Sequence, residues 1–119
     1  MCIRDRLACE VAKKVVEIVS TQKVLKGVMK KTISFHEKLN HLSEKFNIFE
    51  DIRSAGLWIC CDFKKIKAKD FIDASYKKGL ILVQAAGEKT IRIAPSLIIS
   101  EKEIEEGFKR FEMAVKAIK

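Results

Sequence analysis

A short alternating segment that ends at the chain's single proline and runs into a self-capped helix constrains this sequence most. From Thr90 to Ala94 the side chains alternate, so in a strand Ile91 and Ile93 share one face and Arg92 takes the other. Pro95 has no backbone donor and must end or edge that strand. Ser100-Glu101-Lys102-Glu103 then supplies a reciprocal capping box, with serine serving the N–H of Glu103 and the Glu103 carboxylate serving the N–H of Ser100. Ile104, Phe108, Phe111, Val115 and Ile118 follow at helical spacing as one apolar stripe. Glutamates at 101, 103, 105 and 106 lie near the helix start and Lys116 and Lys119 near its end, as the helix dipole favours. The pattern predicts one arginine held on a strand whose other face packs against a well-capped helix.

The upstream chain reads as two helices, two strands, a helix and a strand. Leu7–Val19 is apolar over more than half of a helical circumference, which calls for partners on two sides. Ser20-Thr21 breaks the pattern and offers a new cap. A long helix is predicted over Gln22–Phe46, with Asn47 placed to end it in the left-handed conformation. Ile48–Arg53 and Leu57–Phe63 read as strands joined through Ser54-Ala55-Gly56. The unbroken apolar run Leu57–Cys61 predicts a strand covered on both faces. Ala68–Lys78 reads as a helix with Phe71, Ile72 and Ser75/Tyr76 inward and Gly79 at its end; Leu80–Val83 reads as a buried strand. The turn Ala85–Lys89 would pair that strand antiparallel with the Arg92 strand. The order ααββαββα, with no repeat, predicts an α+β fold with a small antiparallel or mixed sheet packed against helices.

Several function classes recede on composition. The net charge of +8 and pI near 9.4 suggest nucleic acid, but the lysines are spread through every helix and the aromatics fall at core spacing. A solvated basic surface is the better reading, and no nucleic-acid partner is expected. A stand-alone basic binding module remains an alternative. So does a helical interaction protein using the 22–46 seam, although that seam covers only about three heptads and contains Thr32. No apolar run reaches membrane-spanning length and the start lacks a signal-peptide core, so no membrane is expected and the cytoplasm is the default. Cys2, Cys9, Cys60 and Cys61 form no C-x-x-C pair, and His36 and His41 lie about 140° apart on a helix, so no metal site is expected. The cysteines read as small hydrophobes, with Cys60 and Cys61 on opposite faces of their strand.

The segment Ile91–Ser100 followed by Ile104-Glu105-Glu106-Gly107 closely resembles the C-terminal end of acetylornithine aminotransferases, class-III pyridoxal-phosphate enzymes of fold type I. Leu7–Ala12, Ile52–Leu57, Phe71–Ala74 and Lys78–Val83 extend the resemblance in family order over roughly Leu7 to Ile118. It implies that residues 7–119 are the small C-terminal domain of such an enzyme, with 7–19 the helix linking it to a large domain. Residues 1–6 match nothing in the family and are expected to be a foreign tail. The resemblance further implies pyridoxal 5'-phosphate as cofactor, N-acetylornithine (or a related ω-amino acid) and 2-oxoglutarate/glutamate as substrates, and a homodimer. Acetylornithine, succinylornithine, ornithine and 4-aminobutyrate enzymes share this architecture. No lysine here matches the family's Schiff-base motif, so neither catalytic nor cofactor-binding residues are expected in this chain, and it should be inactive alone. Arg92 matches the arginine that receives a substrate carboxylate, and Arg53 falls in a turn read as structural. The family usually has glycine at the position of Ser54, which here would strain a turn that prefers positive φ. It also has a small glycine or alanine near Cys60 and a longer loop than Lys64–Ala68.

Overall fold

A computed structural model describes residues 6–84 and 87–118. Its elements are α1 (Arg6–Val19), α2 (Gln22–Phe46), β1 (Phe49–Ala55), β2 (Trp58–Phe63), α3 (Ala68–Lys77), β3 (Val83–Gln84), β4 (Thr90–Ile93) and α4 (Glu101–Ile118), the order read from the sequence. The strands form one antiparallel sheet in the order β1-β2-β4-β3.

Strand periodicity builds the core. Ile59, Cys61 and Phe63 of β2 and Ile91 and Ile93 of β4 point to one face and are buried. Leu39 and Leu42 of α2, Phe71 of α3, and Ile104, Phe111 and Val115 of α4 close over that face. Phe71 is central, its ring centroid 4.9 Å from that of Phe63 and 4.7 Å from that of Phe111, both pairs tilted as aromatic quadrupoles prefer. All the packed helices therefore lie on one side of the sheet.

The helix ends show how local chemistry sets the path. Asn47 terminates α2 at φ 51°, its N–H donating to the Ser43 carbonyl at 2.7 Å. At the end of α3, Gly79 adopts φ 72°; its N–H reaches the Tyr76 carbonyl and that of Leu80 reaches the Ser75 carbonyl, both at 2.9 Å. This is the paired 5→2 and 6→1 termination that glycine favours. The capping box of α4 forms as read: Ser100 N–H donates to Glu103 Oε2 at 2.7 Å, and Glu103 N–H donates to Ser100 Oγ at 3.3 Å. The Ser100 N–H and then its hydroxyl, which also donates to Glu103 Oε2 at 2.7 Å, hold the Glu103 carboxyl below the usual carboxylate range.

Some expectations need correction. The Leu80–Val83 strand shortens to Val83–Gln84; Ile81 is 80% exposed, while Leu82 is buried and Leu80 half-buried against the core. As an edge element it has a neighbour on one side only, so little holds the run in a ladder. Trp58, expected in a doubly covered strand, is 53% exposed because no helix covers the other face of the sheet among the described residues. Tyr76 is 71% exposed; Phe71 and Ser75, four apart, take the inner stripe of α3 and rotate Tyr76 off it. Ser54 is a strand residue paired with Ile59, with Gly56 at φ 61° carrying the turn. Its Oγ lies 2.7 Å from His36 Nε2, so serine here adds a strand-to-helix hydrogen bond where a strained turn was expected. Thr21 stands at the N-cap of α2, but its hydroxyl donates backward to the Ile18 carbonyl at 2.8 Å. Cys61 is buried as expected, whereas Cys60 is half-buried and Cys9 exposed; Cys2 lies outside the described residues. Helix α1 buries none of its residues, and Leu7, Val11, Val15 and Ile18 stand exposed along it.

Candidate functional site

The sheet face that the helices leave open carries the candidate site. Register places Arg53, Cys60 and Arg92 in one row across β1, β2 and β4, and Asp51, Asp62 and Thr90 in the next row. Residues paired directly across antiparallel strands share a face, so these side chains form one polar surface. Trp58 lies on it beside Arg92, and Val83 of β3 closes the row.

The two arginines are in different chemical states. Arg53 is saturated with acid: Nη1 donates to Asp51 Oδ2 at 2.9 Å and also to Asp62 Oδ2, and Nη2 donates to Asp62 Oδ1 at 3.3 Å. Asp62 further accepts from Thr90 Oγ1 at 2.6 Å. The Arg53 and Thr90 hydrogen bonds hold the Asp62 carboxyl below its ordinary range, and the same two carboxylates raise Arg53 above its own. This network ties β1, β2 and β4 together, which fits the structural role read for Arg53.

Arg92 has no such partner among the described residues. It is half-buried on β4, between the buried Ile91 and Ile93 on the opposite face, as the alternation requires. Its guanidinium carbon stands 4.5 Å from the centroid of the Trp58 ring, within cation–π range. Its Nε is enclosed without a hydrogen-bond partner. A planar guanidinium edge matches a carboxylate with two parallel hydrogen bonds. Aspartate 62, the nearest acid by register, is already committed to Arg53 and Thr90.

A pyridoxal-type cofactor needs a lysine in an enclosed pocket, and every described lysine is exposed or half-buried. No group of three metal-ligating side chains converges among the described residues, and His36 is occupied with Ser54. An apolar cavity of about 190 Å³ lies between α4 and the Leu80–Leu82 and Ala94–Pro95 segments. It is on the core side, away from the Arg92 face. Its one charged lining residue, Glu103, is engaged in the capping box. The cavity shares no lining residue with the Arg92 row. Buried beside the site, the Cys61 thiol is pushed up to about 12, chiefly by desolvation.

Sequence reasoning placed Arg92 on its strand and face but missed Trp58 as its neighbour. Only the register, with Cys60 opposite Arg92, brings the indole within reach. No periodicity of a single segment carries that information.

Comparison with known proteins places this architecture. A profile of the class-III aminotransferases matches residues 4–115. Acetylornithine aminotransferase 1 of Pseudomonas syringae pv. tomato is 40% identical over 112 residues, and the acetylornithine/succinyldiaminopimelate aminotransferase of Buchnera aphidicola subsp. Acyrthosiphon pisum is 41% identical over 112. In both, the alignment covers 92% of this chain and 27% of the relative, so the chain spans about a quarter of the length of these proteins. The crystal structure of N-acetylornithine aminotransferase from Stenotrophomonas maltophilia superimposes with a TM-score of 0.88 at 27% identity, covering 94% of this chain and 31% of that one. Acetylornithine aminotransferase from Elizabethkingia anophelis shares the fold at a TM-score of 0.83, over 93% of this chain and 30% of that one at 24% identity. With its α+β architecture, sheet register and near-complete profile match, this chain belongs to the class-III aminotransferase family.

Proposed function

We propose that residues 7–119 are the small C-terminal domain of a pyridoxal-phosphate-dependent aminotransferase of the acetylornithine type. The family membership and the relatives that carry acetylornithine activity in their names support the reaction class. The full protein would move an amino group between N-acetylornithine, or a related ω-amino acid, and 2-oxoglutarate. It would do so as a homodimer in the cytoplasm, in the service of arginine biosynthesis. The foreign tail expected over residues 1–6 is proposed only for residues 1–3, because the profile match begins at residue 4. Pyridoxal phosphate, which supplies the electron sink for transamination, would be held by residues outside this chain.

One observation carries the assignment of a role to this domain: Arg92 stands on the open sheet face, stacked on Trp58, with no carboxylate of its own. Its part is to receive a carboxylate of 2-oxoglutarate or glutamate and fix the substrate's orientation. Removing one partner of such a charge-assisted bidentate contact costs about 2–5 kcal/mol of binding, so the guanidinium decides substrate retention. Helix α1 fits the proposal as the connection to a large domain, because its exposed Leu7, Val11, Val15 and Ile18 need cover.

The test is the purified 119-residue chain incubated with pyridoxal phosphate, N-acetylornithine and 2-oxoglutarate. The expected result is no cofactor–lysine absorbance band and no glutamate formed. A stable band accompanied by turnover would show that this chain carries its own catalytic lysine, and the domain assignment would fall.

A further inference from the structure

We infer that Trp58 is a positioning residue: its indole sets the plane of the Arg92 guanidinium and thereby the direction from which a dicarboxylate is bound. The inference rests on the carboxylate-binding role proposed for Arg92 and adds what holds that group ready.

The need for such a residue follows from the geometry. An arginine side chain loses considerable rotamer freedom when it is fixed. Ion pairs normally supply that restraint, and Arg53 shows the arrangement two strands away, gripped by Asp51 and Asp62. Arg92 has no acid to do this. An acid at this place would occupy the donors that a substrate needs. An aromatic face restrains the guanidinium without using any N–H, since the contact is made through the plane. Trp58 sits at that distance, its ring centroid 4.5 Å from the guanidinium carbon.

Three further observations set the direction. The Arg92 Nε is enclosed without a partner, so the donors left for a ligand are those of Nη1 and Nη2. A carboxylate then docks end-on, in the plane that the indole defines. Trp58 lies on β2, two residues from Cys60, the cross-strand partner of Arg92, so the platform and the cation are held by paired strands and not by a loop. Trp58 is also 53% exposed and covers no core residue, so the sheet does not need an indole here for packing. Holding Arg92 is the contact that accounts for it.

The experiment has two arms. In the 119-residue chain, NMR of Arg92 should show its δ-protons and Nε–H shifted upfield by the indole ring current. The shift should vanish in W58L and be retained in part in W58F, with far-UV circular dichroism unchanged in both because the position is half exposed. In the full-length protein, W58L should raise KM for 2-oxoglutarate about two- to fivefold, the loss of one part-exposed cation–π contact. kcat at saturation should change little, and W58F should restore most of the loss. Absence of the ring-current shift in the native chain, or its persistence in W58L, overturns the inference. So does a lost shift with an unchanged KM. R92A separates the two claims: if R92A also leaves KM for 2-oxoglutarate unchanged, the carboxylate role of Arg92 fails, whereas a large R92A effect beside a silent W58L refutes the tryptophan alone.

Discussion

Replacing Gly79 with alanine tests the junction that delivers the chain from α3 to the sheet edge beside Arg92. Gly79 adopts φ 72°, and a Cβ added there would lie 2.5 Å from Arg110 Nη1. Two costs follow. Holding alanine in the left-handed region costs roughly 1–2 kcal/mol, partly offset by about 0.4–1 kcal/mol from a stiffer unfolded chain. The Arg110 guanidinium must also move, which breaks its 3.0 Å bond to the Gly79 carbonyl, worth about 0.5–1.5 kcal/mol. Arg110 is the flexible end of a long side chain, so the clash itself relaxes cheaply. The sum is about 0.5–3 kcal/mol of destabilisation, a fall in Tm of about 2–12 °C for a domain of this size. Thermal denaturation followed at 222 nm measures it. In an R110A background the G79A penalty should shrink by about 0.5–1 kcal/mol, since only the backbone strain remains. A neutral or stabilising G79A, with no coupling to R110A, would refute both the left-handed termination and the Arg110 contact.

Three other outcomes follow from the same structure. Ser75 is fully buried and its Oγ has no hydrogen-bond partner among the described residues, so S75A should stabilise the chain by about 1 kcal/mol; a loss of stability in urea denaturation would mean the hydroxyl is bonded. Of the three described cysteines, iodoacetamide at pH 8 should label Cys9 first and Cys60 more slowly, leaving Cys61 intact until unfolding, because Cys61 is enclosed and its thiol is pushed up to about 12; early labelling of Cys61 in peptide mapping would contradict its burial. Glu112 accepts from Lys116 and from Lys45, both at 2.8 Å, and its carboxyl is held down at about 2, first by Lys116 and then by Lys45. A depressed folded value means that this stabilisation is present above about 4.5 and is lost as pH falls towards 2. The acid limb of the stability curve should therefore flatten in E112Q, and an unchanged limb would refute the pairing.

The sequence carried most of the element order because each boundary has a local chemical sign. Asn47, Gly79 and the Ser100–Glu103 box terminate or start helices through bonds to backbone groups within a few residues, so the pattern is visible in one window. What failed depended on neighbours far along the chain. Leu80–Val83 is as apolar as a buried strand, yet it lies at a sheet edge and pairs over only Val83–Gln84. The run Leu57–Cys61 does not show that one face stays open, because hydropathy is the same whichever partner provides the cover. The Ser54 misreading had a similar origin: a family glycine was expected to mark the turn, while the chain places positive φ two residues later at Gly56.

The site divides the same way. Strand alternation put Arg92 on the face opposite Ile91 and Ile93, and the structure keeps it there. Whether that cation would be free or paired was not legible, since Asp62 lies 30 residues upstream and could have served either arginine by charge alone. Register gives Asp62 to Arg53 and Thr90, and leaves Arg92 to Trp58.

The most direct measurement is a crystal structure of the full-length protein soaked with 2-oxoglutarate. The account predicts a substrate carboxylate in the plane of the Arg92 guanidinium, within about 3 Å of both Nη nitrogens, with the Trp58 ring still stacked beneath. A 2-oxoglutarate bound elsewhere, with Arg92 instead paired to an acid from the remainder of the protein, would contradict it.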